Sequence, residues 1–382
     1  MENWPRESLA HQSIYTVLLI VGCLWLVPTA RARDLAPLIL PPGFNLAVYA
    51  DGVTNARQMA IGPPGLVFVG SRDAGKVYAL VDADLDQQVE RIFVIAENLA
   101  LPSGIAYRDG ALYVAEVNRI LRFDDIAEHY RAPSAPTVVY DRLPNKSHHG
   151  WKYLGFGPDG KLYVPVGVPC NVCLKSDPYA TILRMNPDGS ELEIHARGIR
   201  NSVGFRWHPV TQELWFTDNG RDWLGDDSPS CELNRITAAG QHFGFPHVHG
   251  GDILDPEFGA GHSVAEFVPP AAKLGPHVAP LGFIFYTGKM FPPQYLHNLF
   301  IAEHGSWNRT DKIGYRVTRV VLDTNGGVVK QEPFITGWLQ GDAIRGRPAD
   351  LVELPDGSVL IADDTANMVY RLTYDLTGSS EK

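Results

Sequence analysis

Leu154-Gly155-Phe156-Gly157-Pro158-Asp159-Gly160-Lys161-Leu162-Tyr163-Val164 reads as a short strand, a Pro-Asp-Gly turn and a second, alternating strand. The phrase returns upstream as Met59-Ala60-Ile61-Gly62-Pro63-Pro64-Gly65-Leu66-Val67-Phe68-Val69 and as Ile105-Ala106-Tyr107-Arg108-Asp109-Gly110-Ala111-Leu112-Tyr113-Val114. Downstream it recurs around Gly204-Phe205-Arg206-Trp207-His208-Pro209, around Gly282-Phe283-Ile284-Phe285-Tyr286 with a longer turn, and as Leu351-Val352-Glu353-Leu354-Pro355-Asp356-Gly357-Ser358-Val359-Leu360-Ile361. A third strand follows each copy, often ending in arginine, as in Ile182-Leu183-Arg184 and Val369-Tyr370-Arg371. Six copies at roughly 57 residues each suit four-stranded blades, and the apolar period is two rather than 3.6. The repeat predicts an all-β, six-bladed β-propeller. Such a ring closes by borrowing a strand from the other end of the chain, and Asn45-Leu46-Ala47-Val48-Tyr49-Ala50 has the length and alternation to do it.

Composition agrees. The 382 residues are 45% hydrophobic, enough for a large core, and 37 glycines and 29 prolines are spread along the chain, as many short strands and turns require. A formal net charge of -10 with no basic run argues against nucleic acid as a partner. An apolar stretch over residues 14–27 followed by Ala30-Arg31-Ala32 predicts a signal peptide, residues 1–32, ahead of a single propeller domain, residues 33–382. The expected location is periplasmic or secreted with no integral membrane span in the mature form; Leu19-Ile20-Val21-Gly22-Cys23 leaves a lipid anchor through Cys23 as the alternative.

In a propeller the first strand of each blade lines the central channel, so the residues just ahead of it gather at one mouth. That position holds Arg57 and Gln58, Pro102 and Ser103, His148 and His149, Arg200 and Asn201, Ala279 and Pro280, and Arg347. Cations packed around a funnel are costly unless an anion fills it, so the cluster predicts a carboxylated or phosphorylated ligand. The stretch Thr217-Asp218-Asn219-Gly220-Arg221-Asp222, running on to Asp226-Asp227 and Cys231-Glu232, is dense in oxygen donors. It suits a hard cation such as Ca²⁺ or, alternatively, a solvated acidic loop. Cys170-Asn171-Val172-Cys173 has no following histidine and no second pair, so it reads as a local disulfide pinning a loop, or as a redox pair. His247 and His249 hint at zinc but lack a third ligand at a readable spacing, while His277, His297 and His304 stand singly and read as structural.

Several of these phrases together resemble the soluble, PQQ-dependent sugar dehydrogenases, and within them the sorbosone dehydrogenase branch. They are His149 ahead of Phe156-Gly157-Pro158-Asp159-Gly160, Gly198-Ile199-Arg200-Asn201-Ser202-Val203-Gly204, Phe216-Thr217-Asp218-Asn219-Gly220-Arg221-Asp222, and His304-Gly305-Ser306-Trp307-Asn308-Arg309. The resemblance implies pyrroloquinoline quinone (PQQ) across the channel mouth with Ca²⁺ beside it. It makes His149 the general base and places Arg200 and Asn201 over the quinone. It gives Arg347 and Arg309 to the cofactor carboxylates, the carbonyls of Gly220 and Arg221 to the calcium, and Glu232 to a nearby structural calcium site. Two departures argue against glucose itself: Ala349 stands where those relatives carry a second arginine, and His148 where they carry an acid.

The implied reaction is oxidation of an aldose or sugar aldehyde, sorbosone-like, to a lactone or acid. His149 takes the hydroxyl proton while hydride passes to PQQ, and an external quinone or cytochrome then accepts the electrons. A calcium-dependent lactonase or esterase propeller and a non-catalytic binding propeller are the alternatives.

Overall fold

The computed structural model describes Met1 and residues 38–375. The proposed signal peptide and Cys23 lie outside the described residues. Six four-stranded antiparallel sheets follow one another along the chain. The first comprises Ala56–Ile61, Leu66–Ser71, Val77–Val81 and Arg91–Ala96. Blade 2 begins with Gly104–Arg108 and Ala111–Ala115, blade 3 with Gly155–Phe156 and Leu162–Val166, and blade 4 with Phe205–Trp207 and Leu214–Asp218. Pro280–Phe285 and Leu299–Glu303 open blade 5. Blade 6 takes Pro348–Glu353, Val359–Asp363 and Met368–Tyr374 from the end of the chain and Phe44–Asp51 from its beginning. That closing strand pairs Phe44 with Tyr374 through Asp51 with Met368, with a bulge at Val48/Ala50. Among the described residues the only α-helix is the four-residue Ile126–His129, and no helix is long and apolar enough to cross a membrane.

Each sheet is covered on both faces, which is why the second strands are buried throughout. Period two still sorts their residues. In Leu66–Ser71, Val67 and Val69 pack with Leu360 and Ala362 of blade 6, while Leu66 and Phe68 pack with Ile105 and Val114 of blade 2. Leu162, Val164 and Val166 likewise face blade 2, and Tyr163 faces blade 4 beside Phe205 and Phe216. Six apolar clusters lie between the six neighbouring pairs of blades. At about 1.5–3 kcal/mol for each large side chain fully buried, these seams hold the ring together.

The turn between the first two strands explains the repeated glycine: Gly65, Gly110, Gly160 and Gly357 all have φ between 77° and 85°, where a side chain would be strained. Third-strand arginines return to the acids of this edge. Arg184 pairs with Asp159 at 3.2 Å and Arg371 bonds Asp356 at 2.5 Å, exposed contacts worth a fraction of a kcal/mol each.

Candidate active site

A cavity of about 260 Å³ opens where the predicted mouth lies, lined by Arg57, Arg72, Arg200 and Arg347 together with His149 and Asn201. Trp151, Val203 and Leu281 supply an apolar floor, and Ala349 packs into the same small cluster. At the rim Trp307 meets Trp223 edge-on, ring centroids 5.6 Å apart.

The sequence brought more to the mouth than the fold does. Gln58 follows Arg57 in the same strand and so points the other way: its amide bonds Leu154 O at 2.6 Å and accepts from the Ile105 and Leu154 amides. Ser103 is buried, its hydroxyl donating to Lys152 O and accepting from Lys152 N. Both stitch neighbouring inner strands together. His148 is exposed, its ring centroid 4.1 Å from that of His149.

His149 is held by backbone. Its Nδ1 lies 2.8 Å from Val168 O, an acceptor only, so the neutral ring carries its proton there and Nε2 keeps a free lone pair. Burial, the Arg200 cation and His148 push its pKa down to about 2, so the ring is neutral. A side chain on Gly167 would place Cβ 2.8 Å from His149 Cβ and 3.2 Å from Asn201 Oδ1; only glycine lets these two residues approach.

Arg200 and Asn201 are set from below by Asp218, the last residue of its strand, whose carboxylate accepts Arg200 N at 2.8 Å and Asn201 N at 2.7 Å. Each nitrogen of the Arg200 fork has a partner. Nε and Nη2 bond the carbonyl and side chain of Asn171, Nη1 bonds Asn219 O, and Nη2 also meets Asp222 Oδ2 at 3.2 Å. Asn171 sits inside the Cys170–Cys173 disulfide loop, so the expected disulfide forms and its loop positions the guanidinium.

Across the cavity the balance differs. Asp364 is shared by Arg57 at 3.5 Å, Arg72 at 3.7 Å and His304 Nε2 at 2.9 Å, and Arg347 reaches His304 Nδ1 at 3.3 Å and the Tyr315 hydroxyl at 3.0 Å. Arg57 Nε and Nη1 are buried without a hydrogen-bond partner, as is Asn201 Oδ1. Burial lowers the Arg57 pKa to about 10. Orphaned donors in a cationic funnel fit an anionic guest.

A second, small cavity of about 10 Å³ lies next to the first, and Gly220 and Arg200 line both. Glu232 and Asp218 face it from paired positions on adjacent strands. Burial, reinforced by Asp218, pushes the Glu232 carboxyl well above its usual range. Two adjacent buried carboxylates fit a hard cation. Arg221 does not line either cavity; its guanidinium pairs with Asp255.

Arg309 lies outside the cavity. Its guanidinium bonds Asp226 O, Asp311 O and the Asp227 carboxylate, tying down the acidic loop. His247 and His249 turn to different partners, Phe258 O and Asp255. His277 and His304, read as structural from their isolation, line the cavity, as do Arg72 and Asp222. A signal for part of this set was available: antiparallel pairing puts the end of each second strand beside the start of the first. Arg72, Asn219, His304 and Asp364 occupy that position.

A family model described as glucose/sorbosone dehydrogenase matches residues 115–371. An uncharacterised protein of Borreliella burgdorferi is 34% identical over 378 residues, covering 95% of this chain and 97% of that protein. Among solved structures, the calcium structure of a Trichoderma reesei carbohydrate-active enzyme of family AA12 superimposes with a TM-score of 0.78 at 19% identity, covering 90% of this chain and 98% of that one. The holo pyranose dehydrogenase PQQ domain of Coprinopsis cinerea gives 0.73 at 18% identity, over 88% and 97%. The PQQ-bound aldose sugar dehydrogenase of Streptomyces coelicolor gives 0.64 at 22%, over 88% and 100%.

Proposed function

From the premise that this chain belongs to the glucose/sorbosone dehydrogenase family, we propose that it oxidises an aldose or a sorbosone-like sugar aldehyde to the lactone or acid, using PQQ and calcium. One observation carries the reading: a neutral histidine with its Nε2 lone pair free stands in a cavity ringed by four arginines, one of which has unpartnered donors. When bound, the quinone supplies a two-electron acceptor and the calcium a Lewis acid beside it.

The chain's own residues do the rest. His149 Nε2 accepts the hydroxyl proton of the substrate, the tautomer being fixed by Val168 O. Arg57 and Arg347 bind the guest's carboxylates, and Arg200, with Asn201 beside it, presents a fixed positive charge that requires no reorganisation. Trp151, Val203 and Leu281 offer a planar guest an apolar floor and exclude water from beneath it. The carbonyl of Gly220, which lines both cavities, would hold the calcium, and Glu232 would hold a nearby structural calcium at the small cavity; Arg221, which lines neither, has no part in this reading. Arg309, committed to the acidic loop, has no part in this reading.

The apolar surroundings of Ala349 support a substrate other than glucose. The Cys170–Cys173 disulfide supports an oxidising compartment, periplasmic or secreted, from which electrons pass to an external quinone or cytochrome.

Reconstitution with PQQ and Ca²⁺, followed by a dye-linked screen of aldoses and ketoaldehydes, tests the proposal. A new absorbance band that a sugar or aldehyde bleaches is the expected result. Lactone hydrolysis without added quinone, or no band at all, would overturn it.

A further inference from the structure

The third and fourth strands of blade 1, Val77–Val81 and Arg91–Ala96, are joined by Asp82-Ala83-Asp84-Leu85-Asp86-Gln87-Gln88-Val89-Glu90. Acids at its first, third, fifth and ninth positions bring one carboxylate oxygen each to within 4.8 Å of all the others. Four formal negative charges share this space, and no ion pair with a lysine, arginine or histidine is formed by any of them among the described residues. Like charges held so close are costly without a counter-charge.

A second observation is independent of the clustering. Asp82 is only 3% exposed, and although its Oδ2 accepts the Gln87 amide at 3.0 Å, its Oδ1 is buried with no hydrogen-bond partner. A buried, orphaned carboxylate oxygen is an unmade bond, and here it belongs to the one buried member of the acidic cluster. We propose that residues 82–90 form a calcium site, separate from the axial cavity, in which Asp82, Asp84, Asp86 and Glu90 are the ligands.

Calcium is preferred to magnesium on ligand chemistry: Ca²⁺ takes many protein oxygens in a flexible shell, whereas Mg²⁺ keeps several waters and is bound through one or two carboxylates. Four carboxylates converging from one loop fit the former. Location gives the site a purpose. Val89 N donates to Tyr49 O at 3.3 Å, and Tyr49 belongs to the closing strand Phe44–Asp51. An ion here stiffens the loop that grips the strand completing the ring.

The variant Asp84→Asn/Asp86→Asn alters two exposed residues and leaves the buried Asp82 in place. Equilibrium dialysis of the full chain with ⁴⁵Ca²⁺ up to about 10 mM should show one equivalent fewer than the parent, and the calcium-dependent rise in Tm should shrink. PQQ binding should be unchanged. Glu232→Gln serves as the converse control, sparing this equivalent. An unaltered stoichiometry and an unaltered calcium response of Tm in the double variant would overturn the site. Because dialysis reads calcium alone, that failure is distinct from failure of the dehydrogenase reading.

Discussion

The two flanks of the axial cavity are built on opposite principles. On the blade 3 and blade 4 side, every nitrogen of the Arg200 guanidinium has a partner in the protein, and Asp218 fixes the backbone beneath it. On the blade 1 and blade 6 side, Asp364 is one carboxylate shared among Arg57, Arg72 and His304, and Arg57 keeps two buried donors unsatisfied. On the first flank the guanidinium is held without a guest, and Asn201 Oδ1 is the buried atom left open. The second carries a charge debt that an anion settles. A rigid flank suits proton transfer, where displacements of about 1 Å cost orders of magnitude in rate, and an open one suits binding.

Removing the proposed base on the rigid flank is the most severe way to separate these roles. His149→Ala should lower kcat/KM by about 10²–10⁴-fold while spectrophotometric titration still finds PQQ bound. Near-normal turnover would take His149 out of the chemistry. Next in size is a contrast between flanks. Arg57→Gln should weaken PQQ binding by about 10–100-fold, the loss of a charge-assisted contact, with little change in urea midpoint, since its donors are unspent. Asn171→Ala should instead lower the midpoint, because it removes the Oδ1 that accepts from Arg200 Nη2 and from the Asp222 amide. If both variants behaved alike in both measurements, the distinction between flanks would fail.

The smallest effect concerns pH. The folded His149 pKa lies far below its ordinary 6.5, so below pH 6.5 the unfolded chain binds the proton and the folded one does not. This term is absent above pH 6.5 and erodes stability as pH falls from there toward about 2. His242, pushed down to about 4 by burial first and by His247, adds to the loss over the upper part of that window. Urea midpoints at pH 7 and 4.5 should therefore fall further for the parent than for His149→Gln, and the acid limb of kcat/KM should lie below 6.5. An equal drop in both proteins would contradict the buried, neutral ring.

Much of this was readable from the chain. The Pro-Asp-Gly turns and period-two strands marked six blades, and the residues ahead of each first strand included Arg57, His149, Arg200, Asn201 and Arg347, all of which line the cavity. Gln58 and Ser103 shared that position and do not line it: Gln58 alternates away from Arg57 along its strand, and the Ser103 hydroxyl is taken up by the Lys152 backbone. Arg309 was placed by a motif and the fold spends it elsewhere, since Asp226 and Asp227 of a blade 4 loop reach it first. Arg72 and Asp364 went unnoticed and His304 was read as structural, although each follows a second strand, the other chain position that antiparallel pairing delivers to the same mouth.

Blade number, ring closure and the cationic character of the mouth were determined by the sequence alone, because turn chemistry and strand alternation act over a few residues and repeat. Which arginine is satisfied and which is left open was decided only by the tertiary structure. Asn171 meets Arg200 only when blades 3 and 4 pack side by side, and Asp364 meets Arg57 only once the ring has closed. Charge pairing depends on distances of a few ångströms that no local pattern encodes.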